Sequence, residues 1–420
     1  MFEVLFDKVR HKIHDSQHGF FSKRSTQSNL LEFVTSVSKS MADGGQVDVL
    51  YTDFSKAFDR ISHRRLLMKL IPFGFSVSLI RWFESYLSDR SQFVAIGGGR
   101  SHRITPTSGV PQGSILGPFL FLLYVNDLLV TLSNTFAFAD DLKLLRKIVT
   151  GGDCYVFQLD IDRLHDWCKE NKLGLNMKKC AVMSITRKAE KNKLLCQYKI
   201  GNDVVPRVNS KRDLGVIIDS KLSFAEHVSL TTRKAYQMLG FIFRCGKFFK
   251  NSDSIATLYN SLVRSRLEYC STVWNPMYKK YVNVIERVQR KYTRMYYYKF
   301  NMSKPDYAER LDRLNMKSLE KRRLMSDEMT LYKIFHRRID TKLNESIAFF
   351  NHGRSTRRNV ASSRPIFYTT TYSSNAERNQ PLNRMQDHHD KYFPECDIFI
   401  DSIVSFKNSV INAATNLVLD

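Results

Sequence analysis

Three aspartates are the residues of this chain whose type and spacing could carry out chemistry. Asp53 ends a β-branched and aromatic run, and Asp140 and Asp141 lie side by side between two apolar runs. Carboxylate oxygens are the ligands that Mg²⁺ prefers, and a protein usually supplies only a few of them. Two such ions about 3.5–4 Å apart can activate a hydroxyl and neutralise a leaving pyrophosphate in phosphoryl transfer. Aspartate is also common at strand ends and turns, so each residue alone is weak evidence.

A metal site of this kind requires the three aspartates to lie on adjacent, rigid backbone. VDVLYTDF (47–54) follows two glycines and predicts a strand that carries Asp53 at its end. TFAFADDLKLL (135–145) predicts a strand, a tight turn and a second strand, with the paired aspartates at the turn. The site forms if these elements are neighbours in one sheet, and the repulsion between the paired carboxylates then needs compensation.

Apolar periodicity, together with the positions of Gly and Pro, predicts the other elements of the first half. Helices are predicted over residues 1–45, 62–71, 76–89, 114–129 and 156–170, and strands at 92–96, 181–185 and 214–218. Gly97, Gly98 and Gly99 predict a hairpin turn. A phosphate-binding loop is disfavoured at these glycines because no GK[ST] sequence or strand–helix context follows them.

Beyond about residue 225 the sequence predicts helix after helix and a basic surface. Residues 226–340 contain 24 Lys and Arg against 11 Asp and Glu. On the helix predicted near 281–297, basic and apolar residues take different faces: Arg287, Arg290, Lys291 and Arg294 against Val284, Ile285, Val288 and Tyr292. A solvated face would also explain this pattern, but with the basicity of the whole chain we interpret it as nucleic-acid contact. Beyond residue 350 the sequence turns polar, and we expect a loosely folded tail with one last helix near 400–416.

The charge balance favours a polyanionic partner. The chain of 420 residues has 65 Lys and Arg against 41 Asp and Glu, a net charge of +24 and a pI near 9.7, which is typical of nucleic-acid binding. An anionic membrane is the alternative, and it predicts a basic amphipathic helix or an apolar anchor. The most apolar run, 115–132, is interrupted by Pro118, Asn126 and Asp127, and residues 1–15 lack the apolar core of a signal peptide. We therefore expect a nucleic acid and no membrane.

Seven cysteines occur singly, without a CxxC pair, and predict free thiols in a reducing compartment. They are Cys154, Cys168, Cys180, Cys196, Cys245, Cys270 and Cys396. Cys168 lies near His165 in the sequence. A core thiol beside a surface histidine is a simpler interpretation of that pair than a metal site.

Five segments resemble, in order and spacing, the palm motifs of reverse transcriptases. They are YTDFSKAFDRISH (51–63), SGVPQGSILGPFLFLLYVND (108–127), FAFADDLKLL (136–145), LGLNMKKC (173–180) and KRDLGVIID (211–219). HGFFSKRSTQSNL (18–30) resembles the preceding fingers motif, and LVRSRLEYCSTVWNP (262–276) and VIERVQRKYTR (284–294) resemble the thumb. The chain is similar to the jockey-like group of non-LTR (LINE) retrotransposon polymerases. The segments RSTRRN and QPLNRM also resemble the C-terminal end of those polymerases.

This resemblance implies an α+β right-hand polymerase fold with four regions. They are a partial fingers region (1–46), an antiparallel-sheet palm with fingers insertions (47–225), a helical basic thumb (226–345) and a polar C-terminal tail (346–420). The family's earlier fingers strand and its N-terminal endonuclease domain have no counterpart in the sequence. We therefore expect a chain that is truncated at its N-terminus.

The resemblance also implies roles for individual residues. Asp53, Asp140 and Asp141 would bind two Mg²⁺ ions, with Mn²⁺ as an alternative, and the backbone of Phe54 would lie beside the first aspartate. Phe58 would pack under the incoming sugar and reject a 2′-hydroxyl, although simple core packing would also explain an aromatic residue there.

Other residues would contact the nucleotide. Gln112 would contact the nucleotide or the template, and Gly113 would let the backbone approach closely. Lys178 or Lys179 would protonate the leaving pyrophosphate; Lys179 is the candidate carried forward, and a charged turn would explain either. The triphosphate would be held by Lys23 and Arg24.

The resemblance implies an RNA-directed DNA polymerase of a retrotransposon, a nucleotidyltransferase that extends a DNA 3′ end on an RNA template. Its partners would be the RNA template, the DNA primer or target, and dNTPs. We expect it inside the cell, in the nucleus during integration and otherwise in the cytoplasm with the element RNA. The alternative is a catalytically inactive, truncated remnant that only binds nucleic acid. An RNA-synthesising polymerase is a third possibility, which Phe58 disfavours.

Overall fold

The structure, a computed structural model, describes residues 2–42, 44–303, 305–349, 366–368, 372 and 374–417. The chain folds into two units, of which the first comprises Met1–Asn29 with Gly44–Asn209 and the second comprises Leu30–Asp43 with Ser210–Asp420. Fingers, palm, thumb and tail are regions defined by their roles in polymerisation. The predicted division of the chain into these regions therefore stays a prediction.

The first unit combines a four-stranded antiparallel sheet with covering helices. Its elements are α1 (Phe2–Val9), the first turn of α2 (Thr26–Ala42), β1 (Gln46–Asp53), α3 (His63–Leu70), α4 (Val77–Leu87), β2 (Ala95–Ile96), β3 (Gly99–Arg100), α5 (Leu116–Thr131), β4 (Thr135–Phe138), β5 (Asp141–Ile148), α6 (Gly151–Glu170), β6 (Ala181–Thr186), β7 (Lys199–Ile200) and β8 (Asp203–Val204). The predicted α+β class and antiparallel sheet are confirmed, and so is the hairpin at the three glycines, which joins β2 to β3.

Strand β1 lies at the centre of the main sheet, whose order is β4–β5–β1–β6. It pairs antiparallel with β5 on one side and with β6 on the other. All of its residues except Asp53 are buried, as expected when a β-branched and aromatic run forms an interior strand. The register places Asp53 opposite Asp141 of β5. The run of apolar residues therefore brings the first aspartate to the tip of the β4–β5 hairpin.

Helix α5 is apolar on all sides and is buried without interruption from Phe119 to Asn126. It shares the core of the first unit with α1, α3, α4 and α6 and with the sheet, as the interrupted apolar run predicted. Among the residues that the structure describes, no helix is both long and apolar enough to cross a membrane.

The second unit is mainly helical, and its described residues include an antiparallel hairpin in which Ser210–Asp213 pairs with Val216–Asp219. Its elements are the rest of α2, β9 (Ser210–Asp213), β10 (Val216–Asp219), α7 (Ala225–Cys245), α8 (Ser252–Leu258), α9 (Ser265–Glu268), α10 (Ser271–Trp274), α11 (Lys279–Lys299), α12 (Tyr307–Arg313), α13 (Leu319–Phe335), α14 (Asn375–Arg378), α15 (Pro381–Tyr392) and α16 (Ile403–Asn416). A π-helical segment, Tyr259–Arg264, joins α8 to α9. The predicted last helix near 400–416 is confirmed as α16.

The basic face predicted on the helix near 281–297 is confirmed on α11. The side chains of Arg287, Arg290, Lys291 and Arg294 are exposed, whereas Ile285, Val288 and Tyr292 are buried. This helix packs against α7, and the Lys291 ammonium lies 5.3 Å from the centre of the Tyr236 ring of that helix. The apolar and cationic halves of one amphipathic helix are thus separated as the sequence pattern indicates.

The expectation of a loosely folded tail was wrong for residues 381–392. Helix α15 packs against α13, with Leu382 and Met385 buried. Two of its polar side chains are buried in pairs: Arg384 with Asp327, at 3.1 Å, and His389 with Glu328, at 2.8 Å. Composition failed here because the polar residues are paired in the interior instead of being solvated. The segment RSTRRN lies outside the described residues.

Two smaller expectations also need correction. Residues 13–25 were predicted within a helical stretch but form an irregular segment, which pairs with β4 through a bridge between Gln17 and Ala137. Cys154 and Cys196 form a disulfide, so the prediction of free thiols was wrong for these two. Burial raises the pKa of Cys168 to about 12, in keeping with the predicted core thiol.

Replacing Asp327 with Asn should destabilise the protein strongly. Burial opposes ionisation of Asp327, but the charges and hydrogen bonds of Arg384 and His388 outweigh it and hold the pKa of Asp327 below its usual value. Removing this charge leaves the buried Arg384 guanidinium unpaired, so we expect a loss of about 3–5 kcal/mol in the free energy of unfolding by urea. Glu309→Gln, in the half-exposed Glu309–Arg313 pair, is the control and should change it by less than about 1 kcal/mol.

The Asp327 contribution has a defined pH dependence. Because the folded-state pKa is lowered, the stabilisation is present above the usual Asp pKa and is lost as the pH falls through the lowered value. The difference between wild type and Asp327→Asn should therefore shrink on acidification. Equal effects of the two substitutions at neutral pH would contradict the assignment of a buried ion pair.

Candidate active site

The three predicted aspartates are brought together at one end of the main sheet. Asp53 is the last residue of β1 and Asp141 is the first residue of β5, and the two are register partners. Phe138 of β4 also pairs with Asp141, so Ala139 and Asp140 form the two-residue turn between the strands. The three carboxylates thus come from the end of β1, the β4–β5 turn and the start of β5.

The charges of these aspartates interact. Burial raises the pKa of Asp140, its own backbone opposes that rise through a hydrogen bond, the charge of Asp53 raises the pKa further and the charge of Lys179 lowers it. The Lys179 ammonium lies 3.1 Å from an Asp53 carboxylate oxygen. Like charges disfavour ionisation and a nearby cation favours it. At Asp140 the charge of Asp53 therefore has a larger effect on the pKa than the opposing charge of Lys179.

Lys179 reaches Asp53 because the segment before β6 is hydrogen-bonded to the end of β1. The Ser55 amide donates to the Gly174 carbonyl at 2.8 Å, and the Asn176 amide donates to the Asp53 carbonyl at 2.7 Å. Between them Phe54 and Leu175 form a bridge. Phe54, the residue predicted beside the first aspartate, has its ring buried in the core and its backbone paired with Leu175. Both Lys178 and Lys179 are exposed, and Lys179 is the one that forms an ion pair with Asp53.

The donor set at this end of the sheet fits hard divalent cations. In the part of the chain that the structure describes, no three or more His, Cys, Asp or Glu side chains are grouped so that they could hold a metal ion by themselves. Carboxylates that need a counter-charge nevertheless match ions such as Mg²⁺, which take only a few ligands from protein and complete their shell with water and substrate phosphates. Asp53, Asp140 and Asp141 are the residues that would hold such ions.

The SGVPQG segment (108–113) is hydrogen-bonded to the residues that follow Asp53. The Val110 amide donates to the Phe58 carbonyl at 2.8 Å, and the Gly109 amide donates to the Ile61 carbonyl at 2.8 Å. The Phe58 ring is half-buried and stacks on Phe121, with ring centres 4.7 Å apart. Phe58 is thus held rigidly, and part of its surface remains accessible.

Asp59 is a residue of this site that the sequence did not reveal. Its carboxylate accepts a hydrogen bond from the Gln112 side-chain amide at 2.8 Å, and its backbone carbonyl accepts one from the Ser108 hydroxyl at 2.8 Å. Asp59 therefore fixes the exposed Gln112 side chain. The partners lie 53 residues apart, so no local pattern could have paired them.

A family model described as reverse transcriptase (RNA-dependent DNA polymerase) matches residues 3–243 of this chain. This match includes the three aspartates, the SGVPQG segment and Lys179, and it covers more than half of the chain. The chain belongs to the reverse transcriptase family.

Retrotransposon polymerases are among its relatives. It is 26% identical over 290 residues to the probable RNA-directed DNA polymerase from transposon X-element of Drosophila melanogaster, covering 67% of this chain and 32% of that protein. It is 25% identical over 304 residues to the RNA-directed DNA polymerase from mobile element jockey of Drosophila funebris, covering 69% of this chain and 32% of that one. The chain thus spans about a third of the length of these relatives, and the predicted resemblance to jockey-like elements is confirmed.

A solved structure of apo telomerase from Candida tropicalis is also similar. It has 10% sequence identity and a TM-score of 0.39, and the alignment covers 82% of this chain and 56% of that one. These values are too low to support an argument about function. The family model and the antiparallel sheet carry the assignment.

Reverse transcriptases use divalent metal ions. The residues predicted to hold the triphosphate, Lys23 and Arg24, lie in the irregular segment before α2. Lys23 is exposed, with a positive φ of 63°. The Arg24 guanidinium donates to the Gln17 carbonyl at 2.7 Å and lies over the Phe21 ring. Arg24 is therefore engaged in holding its own segment, and Lys23 is the better placed of the two to meet a phosphate.

Gly113 is exposed and has a φ of +79°, and a Cβ there would have nothing within 4 Å. Glycine is therefore favoured at position 113 by the left-handed backbone conformation. Crowding is not the reason, because no neighbouring atom would exclude a side chain. Gly109 has a φ of +87°, and a Cβ there would lie 2.7 Å from the Asp59 backbone. The two glycines of this segment thus share a backbone conformation and differ in their surroundings.

This difference predicts unequal effects of the same substitution. Gly113→Ala should lower the free energy of unfolding by about 1–2 kcal/mol, the usual effect of a left-handed conformation on a residue with a Cβ. Gly109→Ala should lower it by more, because the new methyl group must also displace the Asp59 backbone. Urea denaturation of both variants checks this. Equal losses in the free energy of unfolding would show that Gly109 does not pack against the Asp59 backbone as described.

Proposed function

We propose that this reverse transcriptase is an RNA-directed DNA polymerase that extends a DNA 3′ end on an RNA template with dNTPs. The observation that carries the proposal is the convergence of Asp53, Asp140 and Asp141 on one sheet end, with Lys179 against Asp53. A pair of Mg²⁺ ions, with Mn²⁺ as an alternative, would activate the primer hydroxyl and neutralise the developing pyrophosphate charge. The three aspartates would hold these ions.

The other residues of the site would bind and orient the nucleotide. As the primer 3′ hydroxyl releases its proton to water and its oxygen bonds to the α-phosphorus, the bond from that phosphorus to the pyrophosphate would break, and the Lys179 ammonium would donate a proton to the leaving group. Lys23 would contact the triphosphate. Gln112, fixed by Asp59, would contact the nucleotide or template, and the exposed backbone at Gly113 would line the same position.

Phe58 supports dNTPs as the substrate. Its ring is fixed by stacking on Phe121 and by an edge contact with Phe20, whose ring centre is 6.3 Å away. A rigid aromatic ring under the sugar would leave no room for a 2′-hydroxyl. The core-packing interpretation accounts for the buried part of the ring but not for its accessible part.

The basic face of α11 supports nucleic acid as the partner. Arg287, Lys291 and Arg294 project from an otherwise well-packed helix, and Tyr298, one turn beyond Arg294, is 87% exposed. Cations that follow one helix face suit a phosphate backbone, and an exposed aromatic ring suits an unpaired base. We assign residues 226–345 as the thumb on this basis. We also propose that the protein acts inside the cell, in the nucleus during integration.

Removal of one candidate metal ligand tests the proposal. Asp140→Asn should reduce dNTP incorporation on a primed RNA template by about 100-fold or more, because metal ions contribute several kcal/mol of charge stabilisation and about 1.4 kcal/mol corresponds to tenfold. Asp203→Asn, which removes an exposed carboxylate on β8, should incorporate like wild type.

The outcomes distinguish the two functions that the sequence left open. Template-dependent synthesis by wild type and its loss in Asp140→Asn support the polymerase. Equal incorporation by the two proteins would refute the proposed site. Salt-dependent binding of the primed template without incorporation by wild type would favour the inactive, nucleic-acid-binding remnant.

Phe58→Val should relax the choice of sugar. We expect the ratio of kcat/KM for dNTP to that for NTP to fall by about 10- to 200-fold, since steric discrimination of this kind contributes about 1–3 kcal/mol. Phe93→Val, at a 40% exposed ring on the β2–β3 hairpin arm, is the matched control and should leave the ratio unchanged. An unchanged ratio in Phe58→Val would show that Phe58 serves only in core packing and does not select the sugar.

A further inference from the structure

The turn that carries Asp140 contains a residue, Ala139, that is poorly suited to the backbone conformation it adopts. A two-residue hairpin turn whose first central residue has a positive φ favours glycine at that position. Here the residues are Ala139 and Asp140, and Ala139 has a φ of 55°. A non-glycine residue in this region is strained by about 1–3 kcal/mol. The turn also joins two adjacent carboxylates, so its geometry needs support from outside the hairpin.

Gln17 supplies that support from the segment before α2. Its side-chain oxygen accepts the Ala139 amide at 2.8 Å and the Gly19 amide at 2.8 Å. Its side-chain nitrogen donates to the Ala139 carbonyl at 3.3 Å. Both backbone groups of the strained residue are thus satisfied by one side chain, which is fully buried at 0% exposure.

Gln17 is itself held in place by several contacts. Its neighbours pair with β4, because the His18 amide donates to the Ala137 carbonyl at 2.8 Å and the Ala137 amide donates to the Ser16 carbonyl at 2.9 Å. The Arg24 guanidinium fixes the Gln17 carbonyl at 2.7 Å. The amide is therefore positioned before any substrate or cation arrives.

Gly19 restricts the turn from the same segment. A Cβ at Gly19 would lie 2.3 Å from the Ala139 amide nitrogen, a distance that no real contact reaches. The absence of a side chain at Gly19 lets the segment lie directly against the Ala139 backbone. Gln17 and Gly19 thus restrain one residue of the turn by hydrogen bonds and by close packing.

We propose that Gln17 is a positioning residue for the metal site: its buried amide, with Gly19, fixes the Ala139 turn and so aims Asp140 and Asp141. An amide is suited to this role because it accepts from two amides and donates to a carbonyl without adding charge beside the aspartates. The proposal rests on the proposed function only in taking the three aspartates as cation ligands.

Mn²⁺ binding to the full-length protein, measured by electron paramagnetic resonance without substrate, tests this role. Gln17→Met keeps the length of the side chain and removes its hydrogen bonds. We expect it to weaken Mn²⁺ binding by about 10- to 100-fold, the effect usual for residues that orient metal ligands. Gln46→Met is the matched control, because Gln46 is also fully buried and bonds to Asp48 and to the Leu194 carbonyl. It lies at the opposite end of β1, about 23 Å from Asp53 at the usual rise of a strand.

The control separates positioning from stability. Both variants lose a buried amide and should lower the urea midpoint, but only Gln17→Met should lose Mn²⁺ affinity. Wild-type Mn²⁺ affinity in Gln17→Met, or equal losses in both variants, would overturn the proposal. If Gln17→Met fails to fold, Gly19→Ala provides the second test, since its methyl group must push the Ala139 backbone away; wild-type affinity in that variant would also overturn it.

The readout does not depend on polymerisation. If wild type incorporates no nucleotide, the proposed function fails while the Mn²⁺ titration still decides the role of Gln17. If wild type incorporates dNTPs and Gln17→Met binds Mn²⁺ normally, the positioning role fails alone. In active protein, Gln17→Met should lower kcat more than it raises KM for dNTP, because the ligands move while the nucleotide contacts at Gln112 and Lys23 remain.

Discussion

Repulsion between carboxylates that must share one end of a sheet is the constraint on which the first unit depends. Ionised carboxylates at close range favour moving apart or taking up a proton. The raised pKa of Asp140, for which burial is the main cause and the charge of Asp53 another, records that tendency. A site that binds cations without rearrangement must therefore hold its aspartates on rigid backbone. The central position of β1, hydrogen-bonded along both edges, provides this for Asp53, and the neighbouring strand and turn must provide it for the others.

The candidate metal-binding residues could be predicted from the sequence, but most of the contacts that hold them in place could not. Asp53, Asp140 and Asp141 were predictable because motifs of fixed order surround them, and β1 was predictable because its sequence is rich in β-branched and aromatic residues. Asp59 and Gln17 were not, since each acts on a partner more than fifty residues away. Hydrogen bonds of this kind leave no periodic trace in a single sequence. Polar residues that serve the site indirectly therefore look the same as polar residues on any surface.

The second unit shows the same limitation in another form. Its polar C-terminal composition suggested a solvated tail, yet Arg384 and His389 are buried against acidic residues of α13. A buried ion pair contributes little net stability relative to apolar residues of the same size, but it fixes which helices pack together, because either charge alone is costly to bury. By contrast, the basic face of α11 was predictable from the sequence, since a helix that separates apolar from charged residues has a recognisable period.

The turn at Ala139 joins these observations. Local preference would place glycine at position 139, where φ is positive. Asp140 follows it in the turn and brings its carboxylate to the end of the sheet where Asp53 lies. Ala139 lacks the conformational freedom of glycine, and a distant segment supplies the missing stability through Gln17 and Gly19. Local sequence and structure are expected to disagree where function dictates the residue. The disagreement at Ala139 lies directly beside the aspartate that would bind the cation, and the support from Gln17 is directed to the same residue.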